Sequence, residues 1–196
     1  MLVIISPIIR IIIFKSNSNP IFKHIIWNIF KWKITLLIVL NYKLPLKVTL
    51  ESLIYGLTMF LISVLYFILS SFIFRFRIFK GLSEIYNLPL ILRILGGLSA
   101  GITEEVIYRN FLVLFLDEFF GNLLISCFLS SLIFGIFHIP LWGFFSSIQI
   151  FIWSIMFYIY FLVKGELFAL IVAHSLNDIF FFLKTPITNK FFVKKL

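Results

Sequence analysis

The chain of 196 residues is short of charge, and of negative charge above all. It has 8 aspartates and glutamates in total, and charged residues make up 13% of it. Ordinary soluble domains carry about 25% charged and about 45–50% apolar residues. Here 62% of the residues are hydrophobic and the mean hydropathy is +1.13. A soluble core of this length cannot hide so much apolar side chain, so a water-soluble globular protein is excluded and the solvent must be lipid. The single cysteine, Cys127, excludes an intramolecular disulfide and any thiolate metal cluster. Lying inside an apolar run, it reads as a small buried hydrophobe. Internal repeats and long disordered stretches are also lacking.

What is present are long apolar runs and the basic residues that end them. Lysine and arginine outnumber the acids by 17 to 8. They gather where apolar runs stop, as side chains do when they snorkel to headgroups and attract anionic lipid. No basic domain interleaved with aromatics is available to read bases, so nucleic acid is not an expected partner. A membrane-crossing helix needs about 20 mostly apolar residues. Residues 52–74 qualify without a charge, and "RFRIFK" closes them. Residues 89–116 form a long stretch that ends at Asp117 and Glu118. Residues 122–139 follow and are expected to stop at Pro140, which lacks the amide proton of a helix interior. Then come 141–163, a tight turn at Lys164 and Gly165, and 166–183. The fold class expected is all-α, a polytopic transmembrane helical bundle of about five to six spans.

Three regions follow from this reading. Residues 1–50 are basic and partly amphipathic, either an interfacial region or one extra span: "MLVIISPIIRIIIF" is too short to cross, and 21–41 mix lysines with tryptophans and isoleucines. Residues 51–184 form the transmembrane core, and 185–196 a basic tail. Basic residues in the 75–87 loop and the tail favour a cytoplasmic C-terminus in the cell membrane.

Against this background the ionisable residues at membrane depth stand out. Each costs about 2.5–3.5 kcal/mol at a helix centre on insertion scales, and function is the usual reason to keep one. They fall in four places: "EEVIYR" at 104–109, "FGIFH" at 134–138, "HSLND" at 174–178, and Arg93. Glu105 and Arg109 stand at i,i+4 in the order that favours an ion pair. Glu104, about 100° away on an α-helix of 3.6 residues per turn, is then able to face a cavity. Phe134 precedes His138 by one turn and can pack on its imidazole. His174 and Asp178 share a face with Asn177 beside them, and a carboxylate next to a histidine sets its tautomer. His24, among basic and aromatic residues, reads as a surface residue. Polar residues in membrane bundles can also be interhelical glue, but three such places on three spans point to a functional centre.

In that order, on successive membrane helices, Glu-Glu-x-x-x-Arg, Phe-x-x-x-His and His-x-x-x-Asn/Asp resemble the CPBP family of intramembrane proteases, also called the Abi or CAAX protease and bacteriocin-processing family. It includes the type II CAAX prenyl endopeptidases. The resemblance spans roughly 90–183 and implies a peptidase acting on a peptide or protein substrate within or beside the bilayer. It further implies that Glu104 and His138 activate water, and that Glu105 and Arg109 hold and tune the site. His174 and Asp178 would stabilise the oxyanion or orient substrate, with Phe134 and Asn177 orienting. Many members have Asn where this chain has Asp178, and since an ionised aspartate cannot donate a hydrogen bond, the oxyanion role passes to His174. Members of the family are described both as metalloproteases and as metal-free glutamate proteases. No cofactor is favoured here; a divalent metal such as zinc, if present, would take Glu104, His138 and His174, an open three-ligand set.

Other readings compete. "GLSAG" at 97–101 matches a serine nucleophile elbow, but that turn needs a strand before its helix. In a helical segment Gly97 and Gly101 read instead as close helix packing. A non-catalytic immunity or scaffold protein could bind a peptide or partner in the same polar cavity. A small transporter would be expected to show inverted repeats. The oligomeric state and the identity of the substrate are not encoded in any motif.

Overall fold

The computed structural model describes Ile9, Ile12, Ile13, residues 19–73 and residues 85–183. Among these residues there is no strand, and six long helical rods carry the chain. They are α1 (Pro20–Asn41), α2 (Leu50–Ile73), a continuous rod from Leu90 to Phe120, α5 (Leu123–Trp142), α6 (Phe144–Lys164) and α7 (Phe168–Leu183). The continuous rod consists of α3 (Leu90–Glu104), a π-helical segment (Glu105–Leu112) and α4 (Val113–Phe120). The "RFRIFK" stop, most of the opening apolar run and the basic tail lie outside the described residues.

Local chemistry sets the ends. The side chain of Asn19 accepts the Ile21 N–H at 2.8 Å and Pro20 opens α1, two preferred features of a helix start. The α4 and α6 helices end on Gly121 and Gly165, at φ 60° and 63°, where the left-handed conformation suits glycine. The expected turn at Lys164–Gly165 is therefore found. Pro140 does not stop its span: α5 runs on to Trp142, and Gly143 at φ 83° ends it. Proline's missing N–H costs the last turn one i→i−4 bond, and the helix ends two residues further on.

The side chains are sorted for lipid. The inward face of α2 is Ser52, Gly56, Met59, Ser63, Ser70 and Ser71, whereas Leu61, Leu65, Leu69 and Phe72 point outward. A water-soluble helix does the reverse. Close packing of small residues replaces the hydrophobic effect as the cause of association when the solvent is hydrocarbon. Helices α2, α5 and α6 are each long and apolar enough to cross a bilayer. The protein is an integral membrane protein, an all-α helical bundle.

Helix α7 is the axis, packed along α3 and α2, while α6 lies along α5. Glycine permits the α3 contact. A Cβ on Gly97 would lie 2.9 Å from the Ile179 nitrogen, and one on Gly101 2.6 Å from the Ser175 nitrogen. "GLSAG" is thus a helix-packing face. Ser99 within it donates to Asn28 Oδ1 at 2.9 Å.

The π-helical segment differs from the 3.6-residue period assumed for "EEVIYR". Such segments are rare, favour functional sites, and disturb the regular ladder. Side chains from neighbouring helices meet the backbone here: Ser130 Oγ and Tyr158 OH donate to the Tyr108 carbonyl at 2.9 and 2.6 Å. In hydrocarbon a backbone carbonyl outside the ladder must find its partner in the protein. Cys127 is buried beside Val113 and Tyr158, as a small hydrophobe would be.

Candidate active site

The change of helix type falls at Glu104 and Glu105, halfway along the Leu90–Phe120 rod, and turns the two carboxylates to different surroundings. Glu105 is fully buried. Its Oε2 lies 3.2 Å from Arg109 Nε, and its Oε1 is 2.6 Å from His174 Nδ1. Glu104 lines a cavity of about 800 Å³ walled by α1, the Ile85–Leu88 turn, α3, α5, α6 and α7.

Arg109 makes no hydrogen bond through its guanidinium to the described residues, because its N–H directions miss the Glu105 oxygen. Charge and ring faces hold it instead. Its guanidinium carbon is 4.6 Å from the centroid of Phe134, 5.2 Å from that of Tyr158 and 5.6 Å from that of Phe157. A desolvated cation over aromatic faces gains about 2 kcal/mol or more.

Both histidines are anchored by Nδ1. His138 Nδ1 is 2.6 Å from the Phe134 carbonyl. A carbonyl only accepts, so Nδ1 carries the proton and Nε2 turns to the cavity. His174 Nδ1 likewise faces the Glu105 carboxylate. The two Nε2 atoms then converge on one oxygen, Glu104 Oε2, each at 3.9 Å. Phe134 packs on His138 with centroids 4.5 Å apart and stands edge-on to His174.

Of the residues singled out from the sequence, Glu104, Phe134, His138, His174, Asn177 and Asp178 line the one cavity. Glu105 and Arg109 lie behind that wall. Asp178 does not set the His174 tautomer as expected; Glu105, on the neighbouring rod, does. Asp178 Oδ1 is 3.9 Å from His174 Nε2, on the cavity side. Asn177 Nδ2 donates to the Ala173 carbonyl at 2.9 Å, and its Oδ1 has no hydrogen-bond partner among the described residues. Arg93 caps backbone: Nε and Nη2 donate to the Leu88 and Tyr86 carbonyls at 2.9 Å each. Burial pushes the Tyr86 phenol above its ordinary value, with the Arg93 charge acting against that shift. His24, expected at the surface, is half-buried and also lines the cavity.

Two residues of the cavity were not foreseen. Lys31 of α1 is buried, and its Nζ lies 3.0 Å from Glu104 Oε1. Trp153 of α6 stands edge-on to His174, centroids 4.9 Å apart, and donates from Nε1 to Ser63 Oγ at 2.8 Å. The signal for Lys31 is its register with Trp27, Ile34, Thr35 and Ile38, the buried stripe of α1.

Residues 86–180 match the family described as Type II CAAX prenyl endopeptidase Rce1-like. That stretch holds the three motifs, Arg93 and Trp153 but neither Lys31 nor His24, and over it the chain is similar to the CAAX protease family. No curated protein and no solved structure matches the chain.

Proposed function

We propose, from the similarity of residues 86–180 to the CAAX protease family, that this membrane protein cleaves peptide bonds with a water activated by Glu104 and His138. The observation that carries the reading is the convergence of two imidazole Nε2 atoms, from α5 and α7, on Glu104 Oε2 at 3.9 Å each. That separation exceeds a direct hydrogen bond and suits a water hydrogen-bonded to both groups.

In the proposed cycle the water oxygen attacks the carbonyl carbon while its proton passes to the Glu104 carboxylate, with His138 Nε2 orienting the water. The carbonyl π electrons move to oxygen. His174, protonated on both nitrogens and held through Nδ1 by Glu105, donates from Nε2 to the oxyanion. Collapse breaks the C–N bond as Glu104 returns the proton to the leaving amine. The peptide then has a new carboxyl and a new amino terminus.

Two features support the metal-free reading. Tetrahedral zinc with ligands at 2.0–2.1 Å holds its donors roughly 3.3 Å apart, whereas Glu104 Oε2 is 3.9 Å from either Nε2. The Lys31 ammonium also competes for the same carboxylate. The proposal is therefore a glutamate peptidase. Its substrate is a peptide or protein segment within or beside the membrane.

The test is cleavage of a quenched-fluorescent peptide library by purified protein in detergent, for wild type, Glu104→Gln and His138→Ala, with and without chelator. Loss of cleavage in both variants and no effect of chelator is expected. Full cleavage by Glu104→Gln would sink the reading, and leave a non-catalytic role for the cavity.

A further inference from the structure

We infer that Lys31 is a positioning residue for the peptidase reaction: it holds Glu104 by Oε1 so that Oε2 stays turned to the two imidazoles. This rests on the role proposed above for Glu104.

A lysine that served headgroups would sit at a helix end or on the outward face. Lys31 sits mid-helix in α1, on the inward stripe between Trp27 and Ile34, while Trp32 and Lys33 point outward. A charge so placed is costly unless it is paired. Its one hydrogen bond among the described residues goes to Glu104 Oε1.

The pairing divides the charges of the site. Arg109, boxed by Phe134, Phe157 and Tyr158, is committed to Glu105. Lys31 supplies a separate ammonium to Glu104, from another helix. A carboxylate turns about its terminal bond with a broad, roughly two-fold preference. Fixing one oxygen fixes the plane, and so aims the second oxygen. Helix α1 is held in register for this by the Ser99–Asn28 hydrogen bond one turn away from Lys31.

The experiment uses the full chain in proteoliposomes and compares wild type with Lys31→Met, Lys31→Ala, Lys31→Arg, Lys23→Met and Glu104→Gln. Lys31→Met is expected to lower kcat on the order of 10- to 100-fold, with KM changed by less than about twofold, because a misaimed base slows chemistry rather than binding. Lys31→Arg should recover most of the rate, and ethylammonium should raise the rate of Lys31→Ala. Lys23→Met, which removes the same charge from the same helix away from the cavity, should match wild type. A wild-type kcat in Lys31→Met alongside an inactive Glu104→Gln would overturn the inference and leave the peptidase reading intact. An effect on KM alone, or a folded Lys31→Arg as slow as Lys31→Met, would overturn it too. An active Glu104→Gln would take down both.

Discussion

Replacing Gly101 with alanine should damage the site from outside the cavity. The added Cβ would stand 2.6 Å from the Ser175 nitrogen and 2.8 Å from its Cα, where ordinary contact begins at 3.4 Å. Helices α3 and α7 must then part by about 0.8 Å at that point, the difference between 3.4 and 2.6 Å. These two neighbours are backbone, so turning the Ser175 side chain, which also lies against the new Cβ, does not relieve the clash. Ser175 follows His174, whose Nδ1 rests on Glu105 and whose Nε2 faces Glu104. Overpacking of this kind costs about 1–3 kcal/mol. Misplacement of a reacting group by 1 Å can cost about a hundredfold in rate. Gly101→Ala should therefore lower the melting temperature in detergent and reduce cleavage by one to two orders of magnitude. Gly96→Ala, with no atom within 4 Å of the new Cβ, should leave the melting temperature unchanged. Wild-type cleavage and melting in Gly101→Ala would refute the claim that glycine sets this spacing.

Other perturbations test the shell around the site. Arg109→Leu leaves Glu105 buried without its cation and should cost about 3–5 kcal/mol in denaturant titration; adding Glu105→Leu should recover part of that loss. Ser130→Ala and Tyr158→Phe each remove one donor from the Tyr108 carbonyl, at about 0.5–1.5 kcal/mol apiece. The double variant should lose more than the sum, since the carbonyl is then buried without either donor. Asp178→Asn should keep cleavage within about tenfold, because Glu105 rather than Asp178 holds His174 and an amide can still donate to substrate.

Much of this architecture could be read from the chain. Lys164–Gly165 marked a helix end because glycine breaks an apolar run visibly, whereas the Leu90–Phe120 rod runs through Asp117 and Glu118 and ends only at Gly121. The three motifs stood out because hydrocarbon tolerates so few charges. Other features left no local trace. "EVIYRNFL" contains neither proline nor glycine, and the side chains that meet its Tyr108 carbonyl, Ser130 and Tyr158, come from other helices. The Glu105–His174 pair joins residues far apart in sequence, while Asp178, at helical spacing from the same histidine, suggested itself instead. Lys31 is one of several lysines near the N-terminal apolar runs, and its place in the Trp27–Ile38 stripe sets it apart.

The division of cations between the two glutamates also bears on biogenesis. A chain enters the membrane from its N-terminus, so α1 and its lysine are made before Glu104. When the greasy Leu90–Phe120 rod arrives, the counter-charge for Glu104 is already upstream. That for Glu105 follows four residues later, on the same rod. Neither carboxylate has to wait for α7, the last described helix to be made. Only His174 completes the set at the end, so the polar centre can be charge-matched in the bilayer before it is chemically whole.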